Sequence, residues 1–227
     1  MRRVGYSNLI STAGIVIDMC DKDIESLPEI GGYFGLALPD YGDHFPGTIK
    51  FQSARAAIRA VLDGVGAKRV LLPDYICDSA IKAVTDSGAE VETYRLDDRL
   101  YPKDLPPVLG DGCILLYVNY FGLCQKNVHK LLQHIPSAQL IVDNSQAMFS
   151  HPTDALATIY SVRKFVGVPD GGLLISRGVE IERPENEDTF SIERMRHLFL
   201  RMAHSARDGY SSYVEAENTL NDTRPLR

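Results

Sequence analysis

Leu140-Ile-Val-Asp-Asn-Ser-Gln146, followed by Tyr160-Ser-Val-Arg-Lys-Phe-Val-Gly-Val-Pro-Asp-Gly-Gly172, decides how the rest of the chain reads. The first stretch is an apolar run that ends in a carboxylate. The second delivers a lysine after one apolar run and ahead of a glycine pair that opens another. Short apolar runs bounded by turn residues are the pattern of buried strands. Asp143 and Lys164 are therefore both expected at the carboxyl edge of a sheet.

The flanking sequence supports that expectation. Ser53 opens a helix in which Ala54, Ala57, Ile58, Val61 and Leu62 form one apolar stripe, with Arg55 and Arg59 on the other side and Gly64 and Gly66 at the end. Arg69-Val-Leu-Leu-Pro73 reads as a strand, and Asp74-Tyr75 leads into a helix with Cys77, Ala80, Ile81 and Val84 inward and Gly88 closing it. Val91 to Leu96 reads as a strand and Pro102 to Gly112 as a proline-rich connection. Cys113-Ile-Leu-Leu-Tyr-Val118 is a continuous apolar run, as expected of a strand covered on both faces. A short helix with Val128, Leu131, Leu132 and Ile135 leads to the Gln139–Val142 strand, and Ala157–Tyr160 and Gly172–Ser176 are strands on either side of Lys164. This alternation predicts an α/β fold, three layers deep, with an open, mostly parallel sheet of about seven strands and ligand at their carboxyl ends.

Residues 1–48, with a strand near Ile15 and a Gly/Pro/Asp-rich stretch after it, read as an N-terminal segment packing on the domain. Residues 49–180 form the large domain. Residues 181–227 read as a linker and a C-terminal helical extension, with Ile192, Met195, Leu198, Phe199, Met202 and Ala203 on one helix face and no ligand partner for His197 or His204.

The 227 residues carry a formal net charge of −6 and no basic block, which argues against nucleic acid or an anionic membrane surface and for a small-molecule partner. Cys20, Cys77, Cys113 and Cys124 lack disulfide or metal-ligand spacing and read as buried thiols of a cytoplasmic protein. The apolar stretch from Leu9 to Ile17 runs into Asp18 without a cleavage site and is too short to span a membrane.

An Asp and a Lys at one sheet edge are what pyridoxal phosphate (PLP) requires. Its aldehyde needs an amine, and its pyridine nitrogen needs an anion to stay protonated. Asp143 and Lys164 supply that pair, Gln146 is placed to hydrogen-bond the ring's phenolic oxygen, and Ser161 is near enough in sequence to reach the phosphate. The helix that begins Ser53-Ala54 offers free N–H groups and a hydroxyl at its positive end, which suits a phosphate; a plain N-cap serine is the other reading. Ser161-Val-Arg-Lys164 also matches the S-x-x-K of a serine acyl-enzyme, but the companion S-D-N and K-T-G elements are absent.

At Asp143, Gln146, Lys164 and the following Gly-Gly strand, the chain resembles the DegT/DnrJ/StrS sugar aminotransferases, which are fold-type-I PLP-dependent transferases. The resemblance runs from about Ile30 to the last residue and implies a PLP-binding large domain. It assigns Lys164 and Asp143 as catalytic, and Ser53, Ala54 and Ser161 to the phosphate. The family's phosphate serine stands five residues before the lysine, a place taken here by Ile159. Its ring-stacking aromatic aligns with Cys77, which leaves Tyr75 as the available substitute, and Asn119-Tyr-Phe-Gly122 corresponds to a segment near the cofactor's outer edge. Relatives with a dehydratase activity carry His in place of the lysine. The implied activity is transfer of an amino group from an amino acid to a nucleotide-linked keto-sugar, in a homodimer. Family members continue into a smaller C-terminal domain, whereas this chain ends at Leu226-Arg227, so the alternative is a PLP-fold protein that binds cofactor or a partner without turnover.

Overall fold

The computed structural model describes residues 42–226. The strand expected near Ile15, the rest of the segment up to residue 41 and Cys20 lie outside the described residues.

The apolar runs become one seven-stranded sheet. In chain order its strands are β1 (Ile49–Phe51), β2 (Arg69–Pro73), β3 (Glu90–Tyr94), β4 (Cys113–Val118), β5 (Leu140–Asp143), β6 (Ala157–Ser161) and β7 (Gly172–Ser176). Side by side they run β1-β7-β6-β5-β4-β2-β3. β3, β2, β4, β5 and β6 are mutually parallel, and β7 and β1 close one end antiparallel. Every residue of β4, β5 and β6 is buried, so the centre of the sheet is covered on both faces. At the edge, β3 exposes three of its five residues, and its Glu90 and Glu92 keep that edge charged.

Helix α1 (Ala54–Val65) starts where Ser53 Oγ accepts from the Ala56 N–H at 3.3 Å and stops at Gly66, whose φ of 61° only glycine adopts freely. Its buried face of Ala56, Ala57, Ile58, Ala60, Val61 and Leu62 packs on the sheet. Burial of each large apolar side chain there contributes about 1.5–3 kcal/mol. Helices α2 (Asp78–Asp86) and α3 (Gln125–Leu132) follow as the spacing predicts. Strand β3 sits one residue earlier and ends two residues sooner than expected.

The C-terminal part departs most from expectation. A single helix over Ile192 to Ala203 is replaced by α4 (Ser191–Arg194) and α5 (Arg196–Ala203), followed by an unexpected α6 (Ala206–Thr219). The break falls beside Arg194, which turns inward to 4% exposure. Its Nη1 bonds Asp170 at 2.9 Å and Asp188 at 2.6 Å, and its Nε bonds Thr219 Oγ1 at 2.6 Å. A buried guanidinium needs that many acceptors to offset its desolvation. Ile192, Phe199 and Met202, expected on a covered face, are exposed among the described residues. The Nδ1 of His197 lies 2.6 Å from the Arg194 carbonyl, and its ring meets Tyr213 edge-on.

The residues after α6 run back to the sheet. The Gln52 N–H donates to the Leu226 carbonyl at 2.9 Å, the Gln52 side-chain oxygen accepts the Leu226 N–H, and the side-chain nitrogen donates to the Arg224 carbonyl. Of the described cysteines, Cys113 and Cys124 are buried as expected, but Cys77 is exposed. It stands at the mouth between β2 and α2, where the chain leaves the sheet edge. No described helix is long and apolar enough to cross a membrane.

Candidate active site

Three strand ends meet at one edge of the sheet. Because β7 runs antiparallel to both neighbours, its first residue, Gly172, lies in register with Ser161 at the end of β6 and with Phe51 at the end of β1. That register brings Ser53, two residues past β1, against Gly172, across more than a hundred residues of sequence. A Cβ on Gly172 would lie 2.3 Å from the Ser53 carbonyl carbon and 2.6 Å from the Ala54 nitrogen. Only glycine permits the helix start to sit so close. No described group accepts the backbone N–H of Ala54 or Arg55, so the positive end of α1 keeps two free donors. Gly172→Ala would force these elements apart; we expect a loss of about 1–3 kcal/mol, read as a fall in Tm of about 2–12 °C.

The next strands along this edge are β5, β4 and β2. The order β3-β2-β4 reverses the direction of winding between β2 and β4, and ligands of open α/β sheets bind at such a switch point. A cavity of about 310 Å3 opens there, and its walls include Ser53, Ala54, Tyr75, Asp143, Gln146, Ser161 and Lys164. All seven candidates named from the sequence thus line one cavity.

Asp143 ends β5 at 6% exposure. Its Oδ1 accepts the Ser145 N–H at 2.8 Å, and its carbonyl accepts the Asn119 N–H at 3.0 Å. Asn119 in turn donates to Asn144 Oδ1 at 3.1 Å, so the turns after β4 and β5 are bolted together behind the carboxylate. No described cation pairs with Asp143. A buried carboxylate of this kind calls for a cationic or N–H-bearing ligand.

Gln146 is oriented by the turn opposite, since its Oε1 accepts the Phe121 N–H at 3.1 Å. That contact leaves its amide nitrogen as the end able to donate into the cavity. Phe121 holds a φ of 55°, a left-handed conformation costly for a bulky residue, to present that N–H. Tyr75, 61% exposed, stacks on Tyr120 with ring centroids 5.5 Å apart, and the Tyr120 hydroxyl donates to the Tyr75 carbonyl at 2.7 Å. Burial, reinforced by the charges of Asp74 and Asp143, pushes the Tyr120 phenol well above its usual range, so it stays a neutral donor. Lys164 follows β6 on one 3₁₀ turn (Val162–Lys164) and forms no hydrogen bond or ion pair with a described residue.

The wall also includes Arg55, Arg163 and Tyr120, none of them among the seven candidates, although Tyr120 belongs to the Asn119-Tyr-Phe-Gly122 segment expected near the cofactor's outer edge. Arg55 was placed on the solvent side of α1, but the cavity lies at that helix's end rather than its face, so a residue of the first turn reaches it. Burial first, then the neighbouring charge of Arg163, pulls the Arg55 guanidinium below its usual pKa. The two arginines and Lys164 give this end of the cavity an excess of positive charge. The Arg163-Lys164 pair next to Ser161 was the available signal in a chain that is otherwise acidic. With an anion cradle at one end and an unpaired buried carboxylate at another, the walls fit a ligand that bears both a phosphate and a protonated ring nitrogen.

No family model matches the chain, and no curated protein matches it. Among solved structures it is similar to the aminotransferase TlmJ from Streptoalloteichus hindustanus, at 18% identity over 57% of this chain and 40% of that one, with a TM-score of 0.46. It is similar also to PseC from Helicobacter pylori, an aminotransferase involved in the biosynthesis of pseudoaminic acid, at 14% identity over 75% of this chain and 54% of that one, with a TM-score of 0.45. The sugar aminotransferase CalS13 from Micromonospora echinospora is 11% identical over 75% of this chain and 56% of that one, with a TM-score of 0.43. The chain spans roughly half the length of these proteins, between 40% and 56%.

Proposed function

We propose that this protein is a PLP-dependent aminotransferase that moves an amino group from an amino acid to a nucleotide-linked keto-sugar. The observation that carries the reading is Asp143: a buried carboxylate with no described cation beside it, in the same cavity as Lys164 and the free N–H groups of α1. The keto-sugar and its nucleotide rest on the sequence resemblance at Asp143, Gln146 and Lys164. So does the expectation of a homodimer.

When bound, PLP supplies an aldehyde and an electron-withdrawing ring. Lys164 would hold it through Nζ and would be the base placed to move a proton at the α-carbon of an amino donor. Asp143 would keep the ring nitrogen protonated, and Ser145 and Asn119 hold that carboxylate in place. Gln146 would donate its amide N–H to the ring oxygen. Ser53, the N–H groups of Ala54 and Arg55, and Ser161 would bind the phosphate, with the Arg55 guanidinium adding charge. Tyr75, backed by Tyr120, would pack on the ring.

The test is a visible absorption spectrum of the purified protein with added PLP, then borohydride reduction and peptide mapping. The expected result is a visible band that reduction abolishes, with a pyridoxyl group on Lys164. No band and no adduct at Lys164 would sink the reading.

A further inference from the structure

Arg163 stands directly before Lys164 on the same 3₁₀ turn, and both line the cavity. Its guanidinium is engaged by the carboxylate of Glu217 from α6, 54 residues further along the chain, through two contacts: Nη2 to Oε2 at 3.0 Å and Nη1 to Oε1. This two-toothed arrangement is how arginine recognises a carboxylate on a ligand. Here the carboxylate belongs to the protein. Glu217 itself is not among the wall residues.

We propose that Arg163 is the carboxylate-binding residue of this cavity and that Glu217 is its resident occupant, exchanged for the carboxylate of an incoming substrate. The exchange loosens the last turn of α6. It deepens the proposed function and rests on it for the ligand's identity: an α-amino acid carries its amine and its carboxylate on one carbon, matching the adjacent Lys164 and Arg163.

Charge conservation favours the swap. An arginine that is 19% exposed would be costly to leave unpaired, but exchanging one carboxylate for another keeps it matched throughout. The leaving group can reach water, because Glu217 is 31% exposed in the pair. Arg55 adds to the pull on an external anion, since it lies in the same wall and its described partner is the neutral Asn221, at 3.3 Å. Other contacts, made to residues distant in sequence, hold the end of α6 and the chain beyond it. Arg194 keeps Thr219, and beyond it the chain from Asn221 to Leu226 is tied to Arg55, Arg59 and Gln52. Ala216 and Leu220 on either side are buried, so what responds is the Glu217 side chain and the single turn that carries it.

The test uses the full chain and glutarate, a dicarboxylate without an amine that cannot react with the cofactor. Calorimetry measures its affinity and hydrogen exchange follows the amides of α6. Glutarate is expected to speed exchange around Glu217. Glu217→Gln should bind glutarate about tenfold or more tightly, because the internal competitor is gone, and should exchange rapidly without ligand. Arg163→Gln combined with Glu217→Gln keeps a neutral hydrogen-bonding pair and the fold, and should lose glutarate binding. Absence of glutarate binding, an affinity unchanged by Glu217→Gln, or α6 amides that stay protected at saturation would each overturn the proposal. Glutarate exchange without a PLP adduct at Lys164 would support the exchange while removing the aminotransferase reading; an adduct with α6 undisturbed would do the reverse.

Discussion

Lys164→Ala is expected to abolish the visible band proposed for the wild-type protein with PLP and to lower the proposed amino-group transfer by about 10³-fold or more, since general acid–base action alone contributes about 10²–10⁴. Lys164 is the one lysine in the cavity wall among the described residues, so no neighbour can take its place. The protein should otherwise be unperturbed. The side chain makes no described hydrogen bond or ion pair, and a substitution at such a site changes stability by about 0.5 kcal/mol or less. Circular dichroism and a thermal melt check the fold, and the spectrum checks the chemistry. A variant that keeps the band, with the pyridoxyl group trapped on another lysine after reduction, would move the anchor elsewhere.

Asp143→Asn should have the next largest effect, lowering turnover by about 10²–10⁴-fold with the fold preserved. Asparagine keeps an oxygen to accept the Ser145 N–H, so the turn after β5 survives. What it loses is the charge that, on the proposed function, would hold a proton on the ring nitrogen, and without that proton the ring withdraws electrons poorly. The cofactor should still attach to Lys164, which separates this variant from Lys164→Ala. Single-turnover conversion to the pyridoxamine form, measured beside Tm, decides it: turnover near wild type would remove Asp143 from the mechanism. Asp143→Ala, which also breaks the turn, should lose stability as well.

The parts of the site that were legible are those whose signal is local. Asp143, Gln146 and Lys164 sit within a few residues of strand ends marked by apolar runs, and α1 announces itself through its 3.6-residue stripe and its Ser53 cap. The parts that were not legible depend on partners distant in sequence. Arg163 needs Glu217, and Arg194 needs Asp170, Asp188 and Thr219, to make an inward arginine tolerable. A lone arginine in a sequence defaults to solvent. Helix α6 was missed because its Ala-Arg-Asp-Gly-Tyr-Ser-Ser-Tyr pattern has little apolar periodicity and buries only Gly209, Ser212 and Ala216. Three-residue β1 shows no pattern of its own and exists through its pairing with β7. Cys77 was read from the average burial of cysteine and lies instead at the mouth of the cavity.

The pairing of Phe51 with Gly172 also sets when this cavity can come into being during synthesis. A strand near the start of the domain waits for one made about 120 residues later, and closing so large a loop must precede any contact that rewards it. Until β7 emerges, the α1 N-terminus has no Gly172 beside it and β1 is an unpaired edge, open to association with other nascent chains. A phosphate-bearing cofactor of the kind proposed would therefore meet an incomplete site at that stage. Its capture would be a late event, and the yield of pigmented protein would report how many chains completed the sheet rather than how many were made.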